Sequence, residues 1–365
     1  MSHRLPMARA AQAAGFEVHV ATRVDQHGPQ IEAEGFYLHP LNWRRGSANP
    51  VGFLLAIFRI RALYKQLAPD IVHHVALQPS IMGSLATLGL PPARLNAVAG
   101  FGFAFSSNTP RARFVRTALS SLIRGLFNRP NSTILVQNPD DRQAAIALGL
   151  DGNRITLIPG SGVDVAHLTP IAEPDGPITV AFVGRLLADK GLYSLIAAHA
   201  LLSKQNRPVR LLLAGEPDPA NPASIPPATV RDWGNRPGIT VLGHVADIRT
   251  VWASAHIAVL PSRREGLPKS LLEAAACGRP LVATDVPGCR EIAREGLNAV
   301  LVPIDDAPAL ADAIGRLASD RELRRLYGVE SRRLVETEFS DGRIGREIVA
   351  LYRRLLEKDG HDKPH

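Results

Sequence analysis

With 365 residues, 45 % of them hydrophobic and 21 % charged, the chain can build two domains with separate cores, and a disordered protein is excluded. All of the net charge of +8 sits in residues 1–150, which hold 15 Lys and Arg against 7 Asp and Glu, while the remainder balances at 27 against 27. With aromatics at only 5 % and no RNA-binding signature, this one-sided charge points to an anionic lipid surface and away from nucleic acid.

The chain opens on a helical pattern, LPMARAAQAAG, with Ser2 and His3 near its start. Arg9 and Gln12 interrupt the alanines, so the stretch does not read as a secretory signal, and no apolar run nears the ~18 residues of a spanning helix. A cytoplasmic protein, peripheral on the inner face of the cell membrane, is expected. A doubly wound α/β domain normally opens on a strand that feeds its first helix. The first domain is therefore expected to lack its first strand, which would lie upstream of the given start. Strands follow at EVHVATR (17–23), PDIVHHVAL (69–77), LNAVAGFG (95–102) and STILVQN (132–138). His73 and His74, on or beside a buried strand, read as structural.

Two long helices, PVGFLLAIFRIRALYKQLA (50–68) and FVRTALSSLIRGLFN (114–128), lie between these strands. In and beside the second, Arg111, Arg113, Arg116, Arg124 and Arg129 interleave with Phe114, Val115, Leu119, Leu122, Ile123, Leu126 and Phe127. Phe58, Arg59, Arg61, Tyr64 and Lys65 repeat the mixture on the first. Such helices can lie in a headgroup layer, although an apolar stripe in the core with a solvated Arg face is commoner. The one-sided charge favours membrane contact. GFGFAF has the look of a dinucleotide fingerprint, but RARFVRTALSSLIRGL after it supplies no acid for a ribose, so a nicotinamide site is a poor reading.

Residues 163–177, rich in Pro, Gly and Asp, read as a linker between an N-terminal domain (1–162) and a C-terminal domain (178–340). A last helix with a polar tail (341–365) is expected to pack back on the first domain. The second domain alternates strands and helices: ITVAFVGR (178–185), RLLLAG (210–215), ITVLGHV (239–245), IAVLPS (257–262), PLVAT (280–284) and NAVLVP (298–303), with DAPALADAIGRLASD (306–320) as a final helix. Short apolar strands separated by helices imply a parallel sheet covered on both faces. The fold class is α/β, two Rossmann-like domains facing one another across a cleft. Cys277 and Cys289, the only cysteines, make no disulfide framework, which suits a reducing cytoplasm.

Candidate chemistry gathers at strand ends. In REGLPKSLLEAAACGRPLVAT (264–284), Glu265 precedes a helix opened by Pro268, and Glu273 lies one to two turns inside it. The bland alternative is that Glu265 caps the helix and Glu273 is solvated. Gly184-Arg185 ends one strand and Lys190-Gly191 starts the next helix, two cations able to hold a diphosphate. The alternative there is that Arg185 pairs with Asp189 and Lys190 is solvated. Gly243-His244-Val245, followed by Asp247 as a helix cap, makes a base-binding edge, and Pro287-Gly288-Cys289 is a further N–H-rich turn.

GRLLADKG, AVLPS, EGLPKSLLEAAACGRPLVATDVPGCREI and the N-terminal SHRLP together resemble glycosyltransferase family 4, in particular the bacterial enzymes that build surface polysaccharide on a lipid carrier. The resemblance implies the GT-B fold, a nucleotide-sugar donor (UDP-linked), a lipid-linked saccharide acceptor, retention of the anomeric configuration, and no metal or other cofactor. It also implies that Arg185 and Lys190 neutralise the donor diphosphate, that Glu265 positions the donor sugar through its hydroxyls, and that Glu273 accepts from the ribose. Gly184, Gly215, His244, Val245, Gly266, Leu267, Lys269 and Ser270 would line the donor site, with His3, Gly100 and Gly102 on the acceptor side. Attack on the face from which the nucleotide leaves, the β-phosphate helping to take the acceptor proton, follows from the same resemblance. The chain departs from the family pattern at Gln78, where relatives often have Lys, and at Ala299, where Gly is common. Ala99-Gly100-Phe101-Gly102 also holds no His where many members place one. A glycosidase-like carboxylate pair is set aside, because two acids on one nucleotide site do not flank a glycosidic bond. A nucleotide-sugar 2-epimerase of the same fold and a truncated, non-catalytic membrane-associated homologue are the alternative functions.

Overall fold

The computed structural model describes residues 5–24, 28–41, 50–98, 110–160 and 162–358, with backbone alone at 50, 110–116 and 358. His3, Gly100 and Gly102 lie outside the described residues. The chain forms two compact units, one of Met1–Ser161 with Gly342–His365, the other of Gly162–Asp341.

The first unit contains α1 (Leu5–Ala13), β1 (His19–Thr22), α2 (Gly28–Ala33), β2 (Tyr37–Pro40), α3 (Pro50–Leu67), β3 (Ile71–Val75), α4 (Leu77–Ala86), β4 (Ala93–Ala97), α5 (Pro110–Phe127), β5 (Ser132–Val136), α6 (Pro139–Ala147) and β6 (Ile155–Leu157). Its strands make two parallel sheets, β1-β2 and β3-β4-β5-β6, and among the described residues no strand joins β1 to β3. Strand β2, in FYLHP, escapes sequence reading because it is short and half exposed, with no apolar run.

One face of the larger sheet is covered by α4 and α5, with Ile81, Ile123, Leu126, Phe127, Ile134 and Val136 buried in one cluster. Ile123, Leu126 and Phe127 therefore belong to the core, which corrects their reading as membrane-facing; in the described part of α5, Leu122 is the large apolar residue left 40 % exposed. The other face is covered by the C-terminal helix, Asp341–Lys358. Ile344, Ile348, Leu351 and Leu355 recur at helical spacing and bury against Met7, Leu95, Ala97 and Leu135. Tyr352 lies edge-on to both Phe16 and His73, at ring centroids of 5.6 and 5.9 Å, and its hydroxyl hydrogen-bonds His73 Nδ1 at 2.7 Å.

His74 is buried in a polar network. Its Nδ1 donates to Asn96 Oδ1 at 2.9 Å, which leaves Nε2 to accept from the Tyr64 hydroxyl at 3.0 Å. Burial without a countercharge pushes its pKa down to about 4, so the ring is neutral.

The second unit holds β7 (Thr179–Val183), α7 (Leu192–Lys204), β8 (Arg210–Ala214), α8 (Pro227–Gly234), β9 (Ile239–Gly243), α9 (Ile248–Ala253), β10 (Ile257–Leu260), α10 (Lys269–Ala276), β11 (Leu281–Thr284), α11 (Cys289–Ile292), β12 (Ala299–Val302), α12 (Ala307–Ser319) and α13 (Arg321–Glu338). The C-terminal helix is α14. The six strands form one parallel sheet in the order β12-β11-β10-β7-β8-β9. Helices on both faces explain why β10 and β11 are buried at every position and read as unbroken apolar runs.

The connecting segment 163–177 is fastened to this unit. Val163 and Leu168 are buried, Arg332 donates to the carbonyls of Leu168 and Val165, and Arg279 donates to those of Ile171 and Ala172. Among the described residues no helix is long and apolar enough to cross a membrane.

Candidate active site

The strand order of the second unit reverses between β7 and β10, and open α/β sheets bind ligands outside the carboxyl ends of their strands at such a point. After β7, Gly184-Arg185 leads through a short 3-10 turn, Ala188–Lys190, into α7. After β10, residues 261–268 lead into α10. The two connections meet in close backbone contact. Gly191 sits at φ 73°, and a Cβ there would collide with the carbonyl oxygen of Pro261. Gly288, at φ 80° before α11, likewise lets its turn press on the carbonyl of Gly266.

Across this crossing Lys190 Nζ donates to Glu265 Oε1 at 2.5 Å, with side-chain exposures of 24 % and 11 %. Ser262 Oγ, fully buried, donates to the same oxygen at 2.7 Å. Ser262 is held in turn through its carbonyl, which accepts from Thr284 Oγ1 at the end of β11. Both bonds to Glu265 fall on Oε1, and no described residue donates to Oε2. That oxygen is left able to accept a further hydrogen bond. Lys190 keeps two further N–H donors for an anion.

Neither bland reading of the acids holds. Helix α10 is capped at Pro268 with no side-chain bond, so Glu265 is not its cap. Glu273 is half-buried, its side chain 12 % exposed and its carboxylate 3.1 Å from Lys269 Nζ one turn earlier, and desolvation raises its pKa from the ordinary carboxylate value. Arg185 pairs at 2.6 Å with Asp218, in the loop after β8, while Asp189 takes Arg264 at 2.6 Å. The suggested Arg185–Asp189 pair is thus replaced by two others. Arg185 is 59 % exposed, and an exposed pair contributes only about 0–1 kcal/mol, so Asp218 can be displaced from it at small cost.

The remaining candidates divide. Gly266, Leu267, Lys269 and Ser270 lie half-buried around the start of α10, with Leu267 packed against the core. His244 is exposed at the end of β9, Val245 packs inward, and Asp247 caps α9 through the Arg249 amide at 3.0 Å. Gly184 and Gly215 have their amides already spent in the sheet, donating to Ala214 and Gly243, so they shape strand ends and offer no N–H to a phosphate. Among the described residues no three His, Cys, Asp or Glu side chains converge as a metal-binding group.

Two sequence-family models match the chain in tandem, one described as glycosyl transferase 4-like over residues 1–138, the other as glycosyl transferases group 1 over residues 177–320. The chain belongs to the family 4-like glycosyltransferases. It is 25 % identical to the N,N'-diacetylbacillosaminyl-diphospho-undecaprenol alpha-1,3-N-acetylgalactosaminyltransferase of Campylobacter jejuni, over 97 % of this chain and 95 % of that one. It is 28 % identical to the capsular polysaccharide biosynthesis glycosyltransferase CapM of Staphylococcus aureus, over 49 % of this chain and 47 % of that one. Its fold superposes on Anabaena HepE, solved with UDP and glucose, at a TM-score of 0.78 and 17 % identity, covering 97 % and 96 % of the two chains. The two-domain GT-B fold is thereby established, and the enzyme is a nucleotide-sugar-dependent glycosyltransferase.

In this glycosyltransferase, sequence reading missed Ser262, Thr284 and Asp218. Ser262 and Thr284 carried a faint signal as polar residues ending apolar strands. Asp218, in the Pro-rich loop EPDPANPAS, carried none, because its tie to Arg185 spans 33 residues.

Proposed function

We propose that this glycosyltransferase moves a hexose or N-acetylhexosamine from a UDP-sugar to a lipid-linked saccharide, with retention, in bacterial surface-polysaccharide assembly. The observation that carries the reading is the Lys190–Glu265 pair at the strand-order reversal, with no described donor on Oε2 of Glu265 and Glu273 half-buried one helix turn inside. The UDP in the HepE complex and the undecaprenol-linked substrate in the Campylobacter relative's name support the donor and acceptor classes.

In this reading Lys190 and Arg185 hold the diphosphate and stabilise the charge that grows on the leaving nucleotide. Arg185 gives up Asp218 to do so, whereas Lys190 keeps Glu265 with one N–H and spends the others on phosphate oxygens. Glu265 Oε2 accepts from a sugar hydroxyl, and Glu273 accepts from the ribose. The two cations carry the charge compensation, and no metal or other cofactor is assigned a part.

A thermal-shift titration with UDP, GDP and their sugars tests the donor site, because a ligand that binds only the folded state raises its melting temperature. UDP is expected to raise it in the wild type, and the shift is lost in Arg185→Ala and Glu273→Ala. A wild type that ignores every nucleotide contradicts the reading.

A further inference from the structure

Helix α3 is held to the first unit by one face. Ala56 is buried, Phe53 packs against the cluster around Phe127, Arg61 donates to the carbonyls of Ala86 and Leu88 at 2.8 and 2.6 Å, and Tyr64 bonds His74. The opposite face carries Val51, Leu54, Leu55 and Phe58, exposed by 62, 54, 52 and 66 %. Positions i, i+3, i+4 and i+7 fall on one side of a helix, so the four make a single stripe. Other large exposed apolar side chains among the described residues lie singly or in pairs along the chain.

The charge around the stripe selects what can cover it. Arg59 and Lys65 are exposed on the same helix, and α3 contains no acid. Helix α5, which packs with α3 on α4, contains none either. From Leu41 to Pro139 the sequence holds eleven Lys and Arg and one acid, Asp70. Nucleic acid would satisfy the cations but strand four apolar side chains against phosphates. An anionic bilayer satisfies both, taking the apolar groups at the headgroup–acyl boundary and the cations in the phosphate layer.

We propose that α3 seats the enzyme on an anionic membrane, with Val51, Leu54, Leu55 and Phe58 entering the headgroup–acyl boundary and Arg59 and Lys65 pairing with lipid phosphates. The purpose of this seat rests on the reading of a lipid-linked acceptor, but its test uses neither donor nor acceptor. The seat moves the membrane face from α5, where the sequence placed most of it, to the N-terminal half of α3.

Co-sedimentation of the full chain with vesicles decides it. Vesicles of phosphatidylethanolamine and phosphatidylglycerol are expected to carry the protein down, and vesicles of phosphatidylcholine are not. Binding should weaken about tenfold or more in Leu55→Asp/Phe58→Asp, and about fivefold for each of Arg59→Gln and Lys65→Gln, with further loss at high salt. The melting temperature of each variant is compared with the wild type, so that loss of binding is separated from loss of fold. A wild type left in the supernatant with anionic vesicles overturns the proposal. So does a normally melting double variant that binds as well as the wild type, or a stripe that holds two copies of the chain together and touches no lipid.

Discussion

Glu265 shows how a single side chain is aimed. Lys190 and Ser262 both donate to Oε1, and the fully buried Ser262 is itself fixed by Thr284, so the carboxylate has one oxygen anchored and the other presented. A hydrogen bond to a charged acceptor contributes about 1.5–3 kcal/mol, so Ser262→Ala is expected to lower kcat/KM about tenfold or more. Ser262→Thr should restore much of the loss, because it returns the hydroxyl. If Ser262→Ala keeps full activity, or if its loss follows a lower melting temperature that Thr does not correct, Ser262 is a packing residue. The placement of Glu265 before the helix and of Glu273 inside it was legible in the sequence, since their spacing around Pro268 is local. Ser262 and Asp218 were not, because what they do depends on which loops the sheet brings together.

At the scale of elements, α14 does more than close the chain. Its buried isoleucines and leucines lie against β4, β5 and α1, and fully burying such a side chain contributes about 1.5–3 kcal/mol. Ile348 is 0 % exposed, so Ile348→Asp places an uncompensated carboxylate in that core. The variant is expected to lose the cooperative melting of the first unit while the second keeps its fold, as read by limited proteolysis and fragment mapping. Equal proteolytic resistance in variant and wild type would show that α14 is not needed there. The helical spacing of α14 was legible, and so were the strands of the second unit, buried on both faces. Helices α3 and α5 were less so. Their compositions are alike, yet Leu126 and Phe127 are core whereas Leu55 and Phe58 are exposed, a difference set by how each helix rolls against α4.

For the molecule as a whole, a buried histidine ties the stability of the first unit to pH. In the unfolded chain a histidine takes a proton below about pH 6.5. His74 in the folded first unit resists protonation until about pH 4. Between those values the unfolded state binds more protons, so stability falls as the pH falls. The first unit is expected to melt at progressively lower temperature from pH 6.5 to pH 4, and His74→Gln should flatten that slope even if its neutral-pH stability is lower. A slope unchanged by the substitution would assign the acid sensitivity to other groups. The two-domain architecture itself was legible from the alternation of strands and helices. The division of the first unit's strands into β1-β2 and β3-β4-β5-β6 showed in the sequence only as an expected missing strand, since pairing partners are not written in any local pattern.

The placement of α14 also sets an order of events at the ribosome. Residues of the first unit emerge first, yet its sheet keeps Leu95, Ala97 and Leu135 uncovered until residues 342–358 have been made. The second unit is continuous in sequence, so it has all its strands in hand earlier. Domains generally fold from the N-terminus onward during synthesis. Here the first unit to be translated is the last to be completed, and it waits with an open apolar face that a nascent-chain chaperone would cover.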